Sequence, residues 1–178
     1  LTYPWVRKDT EALAYAMSDN PLGPFEYKGI IMKESPTGCW TNHHSLVEYK
    51  GEWYLFYHHN DYSPHFDKNR SARIDRVFFN DDGTIQEVVP TLRGVGSVKT
   101  TSIVHLDRYS SIDGARIEYV DTADYFKGWK TVFAKAGDNV SFNELDFGRK
   151  SPKNITLCVK APEGGRIALT AGNTAEFN

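Results

Sequence analysis

Cysteine is scarce in this 178-residue sequence, which holds Cys39 and Cys158 and no others. The two stand far apart, with no metal-ligand spacing, so neither a disulfide framework nor a zinc site is expected. Each reads as a small buried or half-buried side chain. Long apolar runs are missing as well. No stretch approaches the ~18 residues a spanning helix needs, so no membrane partner is expected. Nor is there an excess of one charge: 21 Lys and Arg against 23 Asp and Glu give a net charge of −2. That removes the electrostatic case for nucleic acid or an anionic membrane surface. Helical periodicity is nearly absent. The chain opens on Leu1-Thr2-Tyr3-Pro4-Trp5, without a methionine or signal peptide and in what reads as the middle of a strand. We expect an excised piece whose true start lies upstream.

Aromatic residues, in contrast, are abundant, with 10 Tyr, 10 Phe and 4 Trp. Such rings suit β-strands, and they also make platforms for flat apolar faces such as those of sugars. The richest stretch runs from Cys39 to His59. It reads as two strands joined at Lys50-Gly51, with Leu46, Tyr49, Trp53, Leu55 and Tyr57 as its apolar and aromatic positions. A histidine pair stands at each end, His43-His44 and His58-His59. Histidines there suit a charged ligand, a metal or a carboxylate, and equally a satisfied strand-end position. Leu13, Tyr15 and Met17 alternate with Ala14 and Ala16, so 12–17 is expected as a strand, closed by the turn cluster Ser18 to Pro24. Tyr27 to Met32, Arg70 to Phe79 and Ile85 to Val89 are further expected strands, with Asn80 to Thr84 as a turn. Pro90 to Lys99 reads as a linker. Beyond it, short strands are expected at 103–106, 115–120, 131–134, 140–147, 155–161 and 166–170. The whole is an all-β chain of two domains, residues 1–96 and 97–178, the second an incomplete sandwich.

Three stretches in this order resemble glycoside hydrolase family 43, the five-bladed β-propeller arabinofuranosidases and xylosidases. They are Ala14 to Gly29 with its Ser18-Asp19-x-Pro21-Leu22-Gly23-Pro24-Phe25 centre, the hairpin Asn42 to His58, and Asn69 to Val77 followed by Asp82-Gly83-Thr84-Ile85. The second half looks more weakly like a family 6 carbohydrate-binding module, a β-jelly roll. That likeness rests on Asp107 to Ser110, Gly128-Trp129-Lys130, Val140 to Asn143, Leu145 to Gly148 and Gly164 to Ile167. The fold so implied is the final blades of a five-bladed propeller followed by an incomplete jelly roll.

The first resemblance implies an inverting hydrolase acting on hemicellulose, of arabinofuranosidase or xylosidase type. Inversion needs two carboxyl groups ~6.5–9.5 Å apart with water between them and the sugar. The family pattern uses an Asp base, a Glu acid and a second Asp that tunes the acid. All three would lie upstream of Leu1, so no catalytic carboxylate is expected in this chain, and the fragment alone is expected to be inactive. Asp9, Glu11, Asp19, Glu26 and Glu34 read as solvated surface charges. Glu48 is explained by a cross-strand ion pair with a lysine, and Asp61 and Asp67 flank a loop that approaches a site.

What the resemblance leaves to this chain is a supporting shell. His43 matches a histidine near the propeller axis that contributes to a calcium or water cluster, so a calcium ion held at His43 is the expected cofactor, if there is one. His44 should point to the other face. Arg70 matches an arginine able to grip a catalytic carboxylate bidentately, and alternation suggests Arg70 inward and Arg73 outward. Trp5, Trp40, Tyr57 and Tyr62 are candidates for sugar stacking, while Trp53 and Tyr54 read as core. Tyr109, Tyr125 and Trp129 read as either polysaccharide contacts or packing. The expected partners are plant cell-wall polysaccharide and the missing N-terminal blades, without which the remaining sheets would have exposed edges. Secreted or periplasmic location follows from such a substrate. A non-catalytic carbohydrate-binding β protein is the alternative reading.

Overall fold

The computed structural model describes residues 1–7, 10–35, 37–63, 65–66, 68–149, 153–172 and 175–177. Strands β1 (Thr2–Arg7), β2 (Thr10–Met17) and β3 (Glu26–Met32) form one antiparallel sheet, in the order β1-β2-β3. Strands β4 (Ser45–Tyr49), β5 (Glu52–His59) and β6 (Ser71–Val77) form a second, in the order β4-β5-β6. Both sheets are the three-stranded meanders that the sequence implies.

The central strand of the first sheet is buried on both faces. Leu13 and Tyr15 point one way into the core, and Ala12, Ala14 and Ala16 point the other. On the alanine face, Trp5 pairs with Ala12 and Tyr27 with Ala16, and the two rings meet edge to face at 5.3 Å. Small side chains on the middle strand leave room for large ones on its flanks.

The second sheet owes its register to its turn. Lys50 and Gly51 both take positive φ, 55° and 79°, the two-residue type I′ geometry that matches strand twist. Ser45 then pairs with Phe56 and Tyr49 with Glu52. Leu55, Tyr57 and Val77 consequently face Leu13, Tyr15, Ile31, Met32 and Val88 in one hydrophobic core, with Leu46, Trp53 and Ile85 at its margin. Trp53 is thus marginal core, as expected. Tyr54 is not core: it stands on the outer face and donates its hydroxyl to Glu52 at 2.6 Å. The hairpin's ion pair also differs from expectation, joining Glu52 to Arg76 at 3.2 Å across β5 and β6.

The segment expected as a strand at 85–89 makes a single bridge, Ile85 to Phe79. It is held instead by the Ile85 N–H donating to the Tyr15 hydroxyl at 3.0 Å and the Val88 N–H donating to Ile31 O at 2.7 Å. The outer face of the second sheet, in contrast, is only partly covered, with Glu144 reaching Arg76 at 3.7 Å on it. Val47 and Phe56, which the register places there, are 39% and 46% exposed.

From residue 97 the texture changes. Strands β7 (Val98–Lys99), β8 (Ser111–Asp113), β9 (Arg116–Tyr119), β10 (Trp129–Val132), β11 (Asn139–Ser141) and β12 (Leu145–Asp146) pair two by two, as β7-β12, β8-β11 and β9-β10. A 3-10 turn, Tyr125–Lys127, is capped by the Asp124 carboxylate accepting from the Phe126 N–H. Asp107 and Ser110 are the buried side chains of this stretch among the described residues, and both are polar. The expected strand at 103–106 is irregular.

Residues 1–146 form one compact unit and 147–178 another, so the expected boundary at 96/97 falls inside the first. The second unit contains a short hairpin of β13 (Leu169–Ala171) and β14 (Ala175–Phe177). The expected strand at 155–161 is irregular and exposed.

Candidate functional site

The end of the second sheet gathers polar groups that its core cannot explain. Asn42, immediately before the two histidines of β4's approach, is 1% exposed. Its backbone N–H donates to the Glu11 carboxylate at 2.7 Å, which ties this approach to the start of β2. Glu11 is therefore not the solvated charge expected of it but a buried acceptor, 8% exposed. The Asn42 amide nitrogen lies 3.4 Å from His59 Nε2. His59 is 2% exposed, with its ring edge to face on Tyr57 at 5.1 Å. Burial lowers the His59 pKa to about 4, helped by the Arg73 and His58 charges and opposed by Asp61, so this imidazole is neutral at ordinary pH.

Above this layer stand His43 and His58. The His43 N–H donates to His58 Nε2 at 3.2 Å, and the two rings lie 6.0 Å apart. Accepting at Nε2 places the His58 proton on Nδ1 when the ring is neutral. Burial, then the nearby Arg70 and His43, lowers the His58 pKa. His44 is half-buried, and its pKa is lowered by burial and by His43. The Thr41 hydroxyl, the Asn42 amide oxygen, both ring nitrogens of His44 and His58 Nδ1 are all buried without a hydrogen-bond partner among the described residues. Buried polar atoms are rarely left so, and a concentration of them marks a place where water, ligand or further protein belongs.

The structure brings His43, His58 and Arg70 together on this face. His43 is exposed, as is Arg70, which precedes β6. The expected sense of the arginines is reversed. Arg73 is the buried one, its side chain 6% exposed and held by Asp61 and, at 3.0 Å, by the Thr91 carbonyl. The cause is register: Arg73 pairs with Tyr57 and so shares its inward face. Tyr57 itself is no stacking platform. It is 4% exposed, and its hydroxyl donates to Asp75 Oδ2 at 2.6 Å. Thr91 adds a second clamp on Asp75, with its hydroxyl donating at 2.6 Å and its N–H at 3.1 Å. Burial nevertheless raises the Asp75 pKa, and that of Tyr57 too.

Tyr62 is also engaged rather than free. Its hydroxyl donates to the Asp107 carbonyl at 2.7 Å, the Arg108 guanidinium lies 4.2 Å from its ring, and Trp129 meets it edge to face at 5.1 Å. Trp5 packs on Tyr27 as described, and Trp40 is half-buried on the approach to His43. Tyr109 is half-buried, and its carbonyl accepts from the Leu92 N–H at 3.1 Å. Asp9 and Asp67 lie outside the described residues.

Calcium takes six to eight oxygen ligands. No group of three or more His, Cys, Asp or Glu converges to hold a metal among the described residues. The carboxylates nearest this face are committed: Glu11 to Asn42, Asp61 to Arg73 and Asp75 to Tyr57 and Thr91. The donors beside His43 therefore do not make a calcium set, and they do not make a general acid–base dyad either. Imidazoles beside a guanidinium are suited to gripping a carboxylate or sugar hydroxyls supplied from elsewhere.

The fold and site define an all-β chain whose two linked meanders carry a half-built polar site at one sheet end. Residues 6–85, which cover β2 to β6 and this site, match the family model of glycosyl hydrolases family 43. The chain is 46% identical over 82 residues to a β-xylosidase of Xylanibacter ruminicola, covering 45% of this chain and 24% of that protein. It is 27% identical over 173 residues to an arabinoxylan arabinofuranohydrolase of Paenibacillus polymyxa, covering 88% of this chain and 26% of that one. Among solved structures, a GH43_1 enzyme from Xanthomonas citri complexed with xylose aligns at 36% identity with a TM-score of 0.44, covering 50% of this chain and 26% of that one. The chain spans about a quarter of the length of these curated relatives.

Sequence reasoning missed Glu11, Asn42, His59 and Asp75. A usable signal existed for Glu11: it opens a strand with no polar residue from Ala12 to Met17, and such strands are buried on both faces.

Proposed function

We propose that this chain is the C-terminal portion of an inverting glycoside hydrolase acting on hemicellulose, of xylosidase or arabinofuranosidase type. The observation that carries the reading is the family match over residues 6–85, because the same residues build the His43–His58–Arg70 face. In this reading the two meanders are the last propeller blades. The exposed patch of Val47 and Phe56 receives another blade, and the carboxylic acid and carboxylate base stand on protein outside this chain. Arg70 grips one of those carboxylates and keeps it ionised. His43 and His58, with the unpaired donors and acceptors beneath them, hold water or sugar hydroxyls at the floor of the pocket. The second half would be an incomplete carbohydrate-binding jelly roll. A plant polysaccharide substrate places such an enzyme outside the cytoplasm, secreted or periplasmic.

The test uses the whole protein that carries this chain. It should hydrolyse 4-nitrophenyl β-D-xyloside or α-L-arabinofuranoside, with an inverted anomer as the first product by proton NMR. Arg70→Ala should lower kcat by about 10²-fold or more, in line with the loss of one positioned electrostatic contact. Unchanged kcat in Arg70→Ala, or binding of xylotriose without turnover in the wild type, would contradict the reading. The latter result would favour a non-catalytic sugar-binding protein.

A further inference from the structure

The pairing of β4 with β5 continues, as side-chain contacts, past the end of its backbone ladder. Carried beyond Ser45 and Phe56, that register sets His43 against His58 and Asn42 against His59. Both pairs touch. The His43 N–H meets His58 Nε2 at 3.2 Å, and the Asn42 amide nitrogen meets His59 Nε2 at 3.4 Å. Consecutive residues alternate between faces, so one rung turns outward and the other inward. In the outer rung His43 is exposed and His58 half-buried, whereas Asn42 and His59 are 1% and 2% exposed.

The inner rung has a fixed sense. Asp61 Oδ2 lies 4.0 Å from His59 Nδ1 and draws the ring proton to that side. Nε2 is then an acceptor. The other neighbour of the Asn42 amide nitrogen, Met32 Sδ at 3.9 Å, can only accept as well. The end of the amide facing both is therefore its NH2. Asp61 is held in turn by the buried Arg73, and the Asn42 backbone N–H is separately tied to Glu11 at 2.7 Å. Amide, backbone and ring are all committed, and Asn42 has one way to sit.

The outer rung inherits that order. The peptide joining Asn42 to His43 carries the N–H that His58 Nε2 accepts. This bond leaves the His58 proton on Nδ1, a buried donor without a partner among the described residues. Turning the peptide would break the bond and free the proton to move to Nε2. Nδ1 would then meet a ligand as an acceptor instead of a donor.

We propose that Asn42 and His59 are positioning residues of the candidate pocket. The buried rung fixes the Asn42–His43 peptide, and through it the tautomer in which His58 offers an Nδ1–H to a ligand hydroxyl or carboxylate. The effect on turnover rests on the function proposed above; the positioning rests on the two rungs.

The experiment takes the whole protein that carries this chain, with nitrogen-15-labelled histidine, and reads ring tautomers by long-range proton–nitrogen NMR at neutral pH. Wild-type His58 and His59 should each be protonated at Nδ1 alone. His59→Leu and His59→Gln are then compared, with near-UV circular dichroism checking the fold. A glutamine amide can accept from Asn42 and donate toward Asp61, whereas leucine fills the space and does neither. In His59→Leu the single His58 tautomer should be lost, and kcat/KM for the aryl glycosides should fall about tenfold or more. His59→Gln should restore both. Wild-type His59 protonated at Nε2 would overturn the proposal, whether or not His59→Leu folds. So would a folded His59→Leu with an unchanged His58 tautomer, or a His59→Gln as impaired as His59→Leu, which marks packing alone. Tautomers that follow residue 59 without any turnover support the positioning and count against the hydrolase. Turnover with His58 indifferent to residue 59 overturns the positioning and leaves the hydrolase reading standing.

Discussion

Residues 1–96 and residues 97–146 spend their aromatic and apolar side chains differently. In the first stretch, two three-stranded sheets turn Leu13, Ile31, Met32 and Leu55 completely away from solvent. In the second, strands of two to four residues pair off, and the buried side chains among those described are Asp107 and Ser110. The first stretch carries its own core. The second is held to it by polar and ring contacts: Tyr62 bonds Asp107 and lies against Arg108 and Trp129, the Leu92 N–H donates to the Tyr109 carbonyl, and Arg76 reaches Glu144 at 3.7 Å. A hydrophobic core sets where strands must lie, whereas a polar clasp sets only where one segment touches another. The contrast predicts where the chain tolerates change.

The largest effect is expected beside this junction, inside the first stretch. Asp61→Ala leaves the Arg73 guanidinium buried without its carboxylate, and a stability loss of about 3–5 kcal/mol should follow in urea denaturation. Hydrogen exchange should quicken at the Leu92 N–H before it does in β5. Uniform exchange across both regions would break the comparison. Next is the core. Leu55→Ala should cost about 3 kcal/mol, while Val159→Ala, at a position 55% exposed, should stay within ~0.5 kcal/mol. Equal losses at the two positions would show that the later residues have a core of their own.

Acid should act on the first region. His59 has an ordinary pKa of 6.5 and a folded one of about 4, so between those values the unfolded chain binds the extra proton. Stability is then fully present above pH 6.5 and is lost as pH falls toward 4, by roughly 3 kcal/mol at most. His44 and His58, also lowered, act in the same direction. Asp75, raised by burial, acts in the opposite direction. His59→Gln should flatten the slope of melting temperature against pH over this window. A slope unchanged by that substitution would mean the buried imidazole is not its source. The smallest effect is at the hairpin tip, where Gly51→Ala puts a Cβ at φ 79° and should cost about 1 kcal/mol, read as a small drop in melting temperature.

Legibility in the sequence follows the same divide. The hairpin, β2 and β3 could be read from alternation and turn chemistry because a shared core enforces both. Arg73 was misread for want of one parity step: with Tyr57 inward, its partner Arg73 must be inward too, but Tyr57 had been assigned to sugar. Glu11 was misread because a charged residue at a strand start looks solvated until the segment that covers it is known. The stretch 155–161 alternates like a strand, yet a strand exists only with a hydrogen-bonding neighbour, and the described residues offer it none. His43 and Arg70 owe their assignment to the family likeness, and the structure adds His58 beside them.

The proposal to be tested most directly is that this chain supplies the floor of a glycosidase pocket and none of its acid–base pair. Turnover of 4-nitrophenyl β-D-xyloside and α-L-arabinofuranoside should therefore be measured for the 178-residue chain and for the whole protein that carries it, side by side. The account predicts hydrolysis by the whole protein and none by the chain. Hydrolysis by the chain alone would place a working carboxylate pair within these residues and contradict it.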